Sequence, residues 1–148
     1  MKPILAIILS FFILTPATYC VAATTRQIVP PPIEHTAAGN GAIDQAFEQG
    51  RSDLQVTGRG TVFKVLADDN DGSRHQKFLV RLPSGLTVLI AHNIDLAPRI
   101  NNLKVSDSIE FYGEYEWNEK GGVVHWTHRD PKGRHPAGWL KHKGQKYQ

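Results

Sequence analysis

One segment of the chain, residues 108–117, alternates so regularly that it constrains the fold more than any other feature. One set of positions is apolar apart from Gly113 and holds Ile109, Phe111, Tyr115 and Trp117. The other set is polar or acidic and holds Glu110, Tyr112, Glu114 and Glu116. Successive side chains of a β-strand point to opposite faces, so this pattern predicts a strand with one face in a core and one toward solvent. We expect Trp117 to lie in that core.

Further strands are expected from the same period of two and from the turn residues between them. They cover residues 56–66, 75–82, 86–94 and 122–128. Gly58 and Gly60 indicate a bend or bulge in the first, and Pro83-Ser84-Gly85 predicts a hairpin between the next two. With a short helix or turn at residues 95–102, this order is typical of a small, mainly β, OB-like five-stranded barrel. A generic five-stranded roll is the alternative.

The register of the predicted hairpin decides whether two histidines share a face. If Ser84-Gly85 is a two-residue turn, His75 and His92 lie on the same face of the sheet. If the loop has three residues, they lie on opposite faces, because a shift of one residue reverses every side chain. The sequence leaves both alternatives open.

The chain before the strands has three parts. Residues 1–23 resemble a secretory signal peptide, with Lys2, an apolar run at 4–14 and small residues before position 24. That run is about half as long as a membrane-spanning helix, so we expect an exported protein, periplasmic or secreted, with no membrane anchor after cleavage. Residues 24–40 contain three consecutive prolines and predict a flexible linker. A short helix over residues 42–49, capped by Asn40, is expected to open a single domain, residues 41–148.

Composition narrows the chemistry. Cys20 is the only cysteine and lies in the predicted signal peptide, so the mature domain has neither a disulfide nor a thiolate metal ligand. The formal charge of +3 is uneven, because residues 129–148 hold six Lys or Arg against one acid, Asp130. This basic C-terminal tail suggests an anionic partner. The nearly balanced total argues against strong non-specific binding to nucleic acid, which normally needs a broad basic face.

Residues 123–141 concentrate groups that bind, stack or transfer protons. Histidines stand at positions 125, 128 and 135, and tryptophans at 126 and 139. In a continuous strand His125 and His128 face opposite sides, and Trp126 shares the side of His128. The candidate site is therefore the region from His128 through Asp130 to His135, facing the acidic side of the strand at 108–117.

A metal site here would use imidazole and carboxylate ligands, which suit zinc or manganese. The candidate ligands are His128, Asp130, His135, Glu110 and Glu114. No motif with tight ligand spacing supports such a site, and histidines with a structural role or exposed to solvent are the simpler interpretation.

Acid–base catalysis is a further hypothesis. Asp130 would orient His128, His135 would lie nearby, and Arg129 with Arg134 would hold a phosphate. This arrangement would suit a metal-assisted hydrolase, such as a nuclease or phosphodiesterase. No nucleophile in a strained turn and no glycine-rich phosphate loop accompanies it, so the residues favour a protein without catalytic activity.

Ligand binding is the most economical function for a small barrel of this kind, which commonly uses one sheet face and its loops. The expected ligand is an anionic polymer, such as nucleic acid, or a small anion. The expected ligand-binding residues are Trp126, Arg129, Lys132, Arg134, His75 and His92, and Tyr112, Trp139 and Tyr147 offer further stacking surfaces. An interaction with another envelope protein is the remaining alternative.

Five strings in the chain also resemble a known family. They are GRGTVFKVL, HQKFLVRL, LIAHNIDLAPRI, FYGEYEWN and GGVVHWTHRDP. In combination, over residues 43–148, they resemble a family of small exported bacterial proteins known as domain of unknown function 3465. The resemblance implies export from a Gram-negative type of bacterium, and it implies no mechanism because the family's chemistry is unassigned. The family pattern often has histidine where this chain has Arg129, which weakens any scheme with a metal ligand at 129.

Overall fold

The computed structural model describes residues 40–148, so the predicted signal peptide and nearly all of the predicted linker lie outside the described residues. It contains one helix, α1 (Gly41–Glu48), and seven strands. The strands are β1 (Leu54–Val65), β2 (His75–Arg81), β3 (Thr87–Asn93), β4 (Ser108–Glu116), β5 (Val123–His125), β6 (Trp139–His142) and β7 (Gln145–Tyr147). Within residues 40–148 no helix is both long enough and apolar enough to span a membrane.

Five of the strands close into a barrel. The order is β1-β2-β3-β5-β4, and β4 pairs again with β1 along residues 108–115. All pairings around the ring are antiparallel except β3–β5, which is parallel. This closure confirms the prediction of a mainly β, OB-like barrel with a short N-terminal helix, and it removes the free edges that an open five-stranded sheet would leave.

The alternating strands fill the barrel interior with fully buried side chains, including Phe78, Ile90, Ile109, Phe111, Tyr115 and Leu140. Gly58 makes room for this core, because a Cβ at that position would lie 2.3 Å from Cζ of Phe111. The bulge in β1 falls between Val62 and Lys64, later than the predicted position at Gly58 and Gly60. The two glycines therefore permit close packing, and the bend comes after them.

Helix α1 packs against the core through two buried residues, Ile43 and Ala46. Asn40 stands at the N-cap position but does not cap the helix through its side chain. Its Oδ1 instead accepts a hydrogen bond from the backbone N–H of Arg59, at 2.8 Å. The predicted cap residue thus ties the start of the helix to β1.

The β2–β3 hairpin has the three-residue loop. The backbone N–H of Leu82 donates to the carbonyl of Leu86 at 2.8 Å, which leaves residues 83–85 outside the ladder. His75 pairs with Asn93, and Gln76 pairs with His92. His75 and His92 therefore lie on opposite faces, with His92 fully buried in the barrel and His75 on the outside.

Residues 95–102 form turns, without the short helix that was one of the two expectations. A buried side chain replaces the helical hydrogen bonds. The amide of Gln76 donates to the carbonyl of Ile100 and accepts from its N–H, both at 2.9 Å. This pair of bonds holds the loop against β2 and buries Ile100 in the core.

Trp117 lies outside the core, so that prediction was wrong. The residue follows the end of β4, is 42% exposed and donates its Nε1–H to the carbonyl of Phe47 at 3.0 Å.

The predicted basic tail forms two short strands. β6 pairs with residues 109–112 of β4, beside the segment of β4 that pairs with β5, and β7 pairs with β6.

Candidate functional site

The chain leaves β5 through a residue with an uncommon backbone conformation. Trp126 has a φ of 51°, in the left-handed region that few non-glycine residues adopt. This conformation ends the alternation at His125, three residues before the predicted end of the strand. The prediction that His125 and His128 face opposite ways was therefore wrong, because both line the same cavity.

That cavity lies on the outer face of β2, β3 and β5 and has a volume of about 230 Å³. We call it the imidazole pocket. Its polar lining comprises Ser73, His75, Asn93, His125, Trp126 and His128, and Ala91 and Leu96 add apolar surface. No carboxylate side chain belongs to the lining, so every charge that its side chains can carry is positive.

Two of the pocket histidines have one ring nitrogen occupied by a backbone carbonyl. Nδ1 of His75 lies 2.7 Å from the oxygen of Ser73, and Nδ1 of His128 lies 2.9 Å from the oxygen of Arg129. A carbonyl oxygen only accepts hydrogen bonds, so each Nδ1 carries a hydrogen and the second nitrogen, Nε2, is left for a ligand. In the neutral imidazole that nitrogen accepts, and in the protonated imidazole it donates.

His92 does not belong to the pocket. Its Nδ1 lies 2.8 Å from Oγ1 of Thr127 and its Nε2 lies 3.2 Å from the carbonyl of Pro98, so both nitrogens have partners inside the protein. The pKa of His92 is lowered to about 4, chiefly by burial and also by the charges of His128 and His75. The structure thus places this predicted ligand-binding residue in the core, as a neutral imidazole.

His135 lies outside the pocket, behind Trp126. The two rings are stacked, with centroids 4.2 Å apart and planes 12° apart. Nε2 of His135 lies 2.8 Å from Oε2 of Glu114 on β4. Burial lowers the pKa of His135, but the hydrogen bonds to Glu114 and Pro136 outweigh it, so the pKa is raised overall. One face of Trp126 is therefore covered by His135.

Asp130 organises the turn after His128. Its carboxylate accepts hydrogen bonds from the backbone N–H groups of Lys132, Arg134 and His135, at 2.9, 2.8 and 3.1 Å. These bonds lower the pKa of Asp130. The structure does not show the predicted contact between Asp130 and His128, because the carboxylate faces the turn.

Three basic side chains on this turn, Arg129, Lys132 and Arg134, are exposed to solvent. The turn joins His128 to His135, and both of those rings lie against Trp126, with the His128 centroid at 5.3 Å. The basic groups therefore lie beside the imidazole pocket, although none of them lines it.

The two predicted acidic ligands of β4 have different environments. Glu110 pairs with Arg59 at 2.8 Å and with Lys141 at 3.6 Å, away from the histidines. Glu114 belongs with Glu116 and His125, whose possible ligand atoms all lie within 4.8 Å of one another. Within residues 40–148 this is the one such group of three or more histidine and acidic side chains. It includes neither His128 nor Asp130, which the sequence had suggested.

A second cavity of about 340 Å³ adjoins the imidazole pocket and shares His75, Ala91 and His125 with it. Its other lining residues are Asp69, Lys77, Glu116 and Val123. Asp69 and Lys77 pair with each other at 3.1 Å. The two cavities thus adjoin on the same face of the barrel. The imidazole pocket has no carboxylate in its lining, whereas the second cavity includes that of Glu116.

Residues 30–148 match the family described as Protein of unknown function (DUF3465). The chain belongs to this family. The match confirms the resemblance of the five sequence strings. No curated protein matches the chain. Among solved structures, one titled "Structure of the hypothetical protein ygiW from E. coli" is similar with 22% identity, 55% of this chain and 77% of that chain covered, and a TM-score of 0.37.

This DUF3465 chain has a second polar surface, on the outer face of β4 and β6. Tyr112 and Trp139 lie side by side with centroids 6.4 Å apart, and Nζ of Lys146 lies 5.4 Å from the Trp139 ring. Tyr112 and Trp139 were expected from the sequence to offer stacking surfaces, and this surface holds both of them beside a basic group. It lies on the pairing of β4 with β6, away from the two cavities.

Sequence reasoning missed His125 and Glu116 as members of the site. The pairing of β4 with β5 places Glu114 opposite His125 and Glu116 opposite Val123, so both acids meet the histidine across the ladder. The sequence contained a signal for this contact. Residues 114 and 116 share a face of their strand, and the short turn that follows brings the next strand back beside them. Because the last strand was predicted to extend to His128, that residue was expected to meet the acidic face in place of His125.

Proposed function

We propose that this chain is an exported OB-like binding module that holds an acidic group of its ligand in the imidazole pocket. One observation carries the proposal. His75, His125 and His128 converge with Ser73 and Asn93 around a single cavity whose side-chain lining has no carboxylate. Such a lining offers hydrogen-bond donors and, when the imidazoles are protonated, positive charge.

The size of the pocket supports a single acidic group. Pockets for drug-sized ligands have volumes of roughly 300 Å³ or more, and the imidazole pocket has about 230 Å³. A phosphate with its immediate substituents fits this space better than a whole nucleotide does. Arg129 and Arg134, on the adjacent exposed turn, would then contact further acidic groups of a longer ligand.

The place of the pocket in the fold also supports binding. OB-folds bind oligonucleotides and oligosaccharides on the face of strands 2 and 3 and on the neighbouring loops. The imidazole pocket combines His75 from β2, Asn93 from β3 and Ser73 from the loop before β2. Its ligand would therefore occupy the face that this architecture commonly uses.

The proposal is tested with two probes, inorganic phosphate and a short single-stranded DNA oligonucleotide at low salt. Binding is followed by calorimetry and by tryptophan fluorescence, to which Trp126 in the pocket contributes together with Trp117 and Trp139. His75→Ala should weaken binding roughly tenfold, as expected for the loss of a hydrogen bond to a charged group.

The matched control is Lys120→Ala, which removes a positive charge from the exposed turn between β4 and β5. It should leave the affinity unchanged. If Arg129→Ala weakens binding of the oligonucleotide but not of phosphate, the basic turn contacts additional acidic groups. The proposal fails if neither probe binds at low salt, or if Lys120→Ala and His75→Ala weaken binding equally.

A further inference from the structure

We propose that Glu114, Glu116 and His125 form a binding site for a divalent transition-metal ion of the zinc type. The possible ligand atoms of these three side chains lie within 4.8 Å of one another. One imidazole nitrogen and two carboxylate oxygens make a ligand set that zinc accepts, with a further position left for water or substrate. It shares His125 with the imidazole pocket, but it is tested with the metal ion alone, so its failure and that of the anion-binding proposal are distinguishable.

The distances favour a metal ion over direct hydrogen bonds. Nε2 of His125 lies 3.6 Å from Oε1 of Glu114 and 3.8 Å from Oε1 of Glu116. Both distances are too long for a nitrogen–oxygen hydrogen bond. In a tetrahedral zinc site with bonds of about 2.0–2.2 Å, neighbouring ligand atoms are about 3.4 Å apart. The two distances from His125 exceed that spacing by only a few tenths of an ångström, and no two of the ligand atoms are more than 4.8 Å apart.

Two atoms without hydrogen-bond partners mark the same place. Among the described residues, Nε2 of His125 and Oε1 of Gln55 are the buried side-chain polar atoms that have no partner. Both belong to neighbours of Glu114, since Gln55 donates its Nε2–H to Oε2 of Glu114 at 3.1 Å. An unsatisfied buried polar atom is destabilising, and coordination of an ion would relieve this for His125.

The two oxygens of Glu114 have separate partners. Oε2 accepts from Gln55 and lies 2.8 Å from Nε2 of His135, while Oε1 faces His125. Ligating carboxylates are commonly held in this way by outer hydrogen bonds. Gln55 and His135 are thus positioning residues, which orient Glu114 so that Oε1 points into the site.

The ion has an open path to the site. Glu116 and His125 line the cavity of about 340 Å³ on the outer face of the barrel. This cavity would admit the ion and leave space for water ligands. A metal site needs such an entry path in addition to suitable ligands.

The test is a titration of the purified protein with Zn²⁺ after chelator treatment, measured by calorimetry at pH 7.5. We expect one zinc ion per protein molecule. Glu116→Gln and His125→Gln should each weaken binding at least tenfold. Zinc should also raise the melting temperature of the unmodified protein more than that of either variant, because an ion that binds the native state stabilises it in proportion to its affinity.

Glu110→Gln is the matched control. It removes a carboxylate from the same face of the same strand, but that carboxylate is paired with Arg59 and Lys141. Zinc affinity should not change in this variant. Circular dichroism of each variant confirms that it is folded before its affinity is compared.

Three results would overturn the assignment. The first is a chain that binds no zinc at pH 7.5. The second is stoichiometric zinc that persists in both Glu116→Gln and His125→Gln. The third is an equal loss of affinity in Glu110→Gln. His125 lines the imidazole pocket as well, so Glu116→Gln separates the two proposals, because Glu116 does not line that pocket and its loss should leave phosphate binding unchanged.

Discussion

His135 joins the turn after β5 to the outer face of β4 through two contacts on one imidazole ring. The ring stacks on Trp126 at 4.2 Å, and its Nε2 lies 2.8 Å from Oε2 of Glu114. The proton on Nε2 is what makes the second contact a hydrogen bond, and full protonation makes it an ion pair as well. The histidine therefore links the conformation of Trp126 to the carboxylate that faces His125.

We predict that His135 titrates above the ordinary histidine value of 6.5, because the hydrogen bond to Glu114 outweighs the effect of burial. Its contribution to stability should be fully present below pH 6.5 and lost as the pH rises through the folded-state pKa. Titration of the imidazole signal by NMR measures this directly. Glu114→Gln should lower the pKa, and Glu110→Gln should leave it unchanged; an equal value in all three proteins would contradict the assignment.

His92 should have the opposite effect on stability. Burial lowers its folded-state pKa to about 4, so the unfolded chain binds a proton below pH 6.5 that the native barrel resists. From pH 6.5 down to about pH 4, stability should fall by about 3 kcal/mol on account of this residue. Urea denaturation at pH 7, 6 and 5 measures the slope.

The control for His92 uses slopes and not absolute stabilities, because any substitution in the core also disturbs packing. His92→Gln should flatten the dependence on pH, and His75→Gln, on the outer face, should change it less. Asp107 does not interfere in this range. The hydrogen bond from His142 lowers its pKa to about 2, so its contribution is lost only in stronger acid. An unchanged slope in His92→Gln would show that another group causes the loss.

The strand pattern was predictable because each strand is buried on one face only. In β4, residues 109, 111 and 115 are fully buried and residues 110, 112, 114 and 116 are not, as the alternation implied. Trp117 broke the rule because the strand ends at Glu116, and no local signal marks that end. Burial patterns therefore predict the face of a strand more reliably than they predict its last residue.

The candidate site was harder to predict because its geometry depends on a single backbone angle. A tryptophan in the left-handed region is uncommon, and the φ of 51° at Trp126 turns His128 toward the same cavity as His125. Residues 130–133 form a turn, in which the N–H of Gly133 donates to the carbonyl of Asp130 at 3.0 Å. In that turn the carboxylate of Asp130 accepts hydrogen bonds from three backbone amides, so it does not take part in the site.

Gly138 should be intolerant of substitution. A Cβ at this position would lie 1.9 Å from the carbonyl oxygen of Trp126 and 2.7 Å from that of Tyr112. Because both are backbone atoms, the start of β6 must move away from β4, and we expect Gly138→Ala to lower the free energy of unfolding by roughly 2–3 kcal/mol. Chemical denaturation measures the change. Gly41→Ala is the control, since no atom lies within 4 Å of its Cβ, and a loss of similar size there would contradict the argument.

Asp130 provides the last prediction, because its role distinguishes a structural turn from a catalytic site. Asp130→Ala removes the acceptor for the N–H groups of Lys132, Arg134 and His135, which solvent must then satisfy. We expect faster hydrogen exchange at these amides and a loss of about 1–2 kcal/mol of stability, as for other side-chain caps of backbone groups. Asp130→Asn keeps one carbonyl acceptor. Its exchange rates and its stability should therefore lie between those of the unmodified protein and those of Asp130→Ala.

The same variants separate the turn from the metal site. Zinc affinity depends on Glu114, Glu116 and His125, so Asp130→Asn should bind zinc as the unmodified protein does. His135 connects the turn to Glu114, so a small loss of zinc affinity in Asp130→Ala would pass through it. If Asp130→Asn instead abolished zinc binding while its exchange rates stayed normal, Asp130 would be a ligand and its role in the turn secondary.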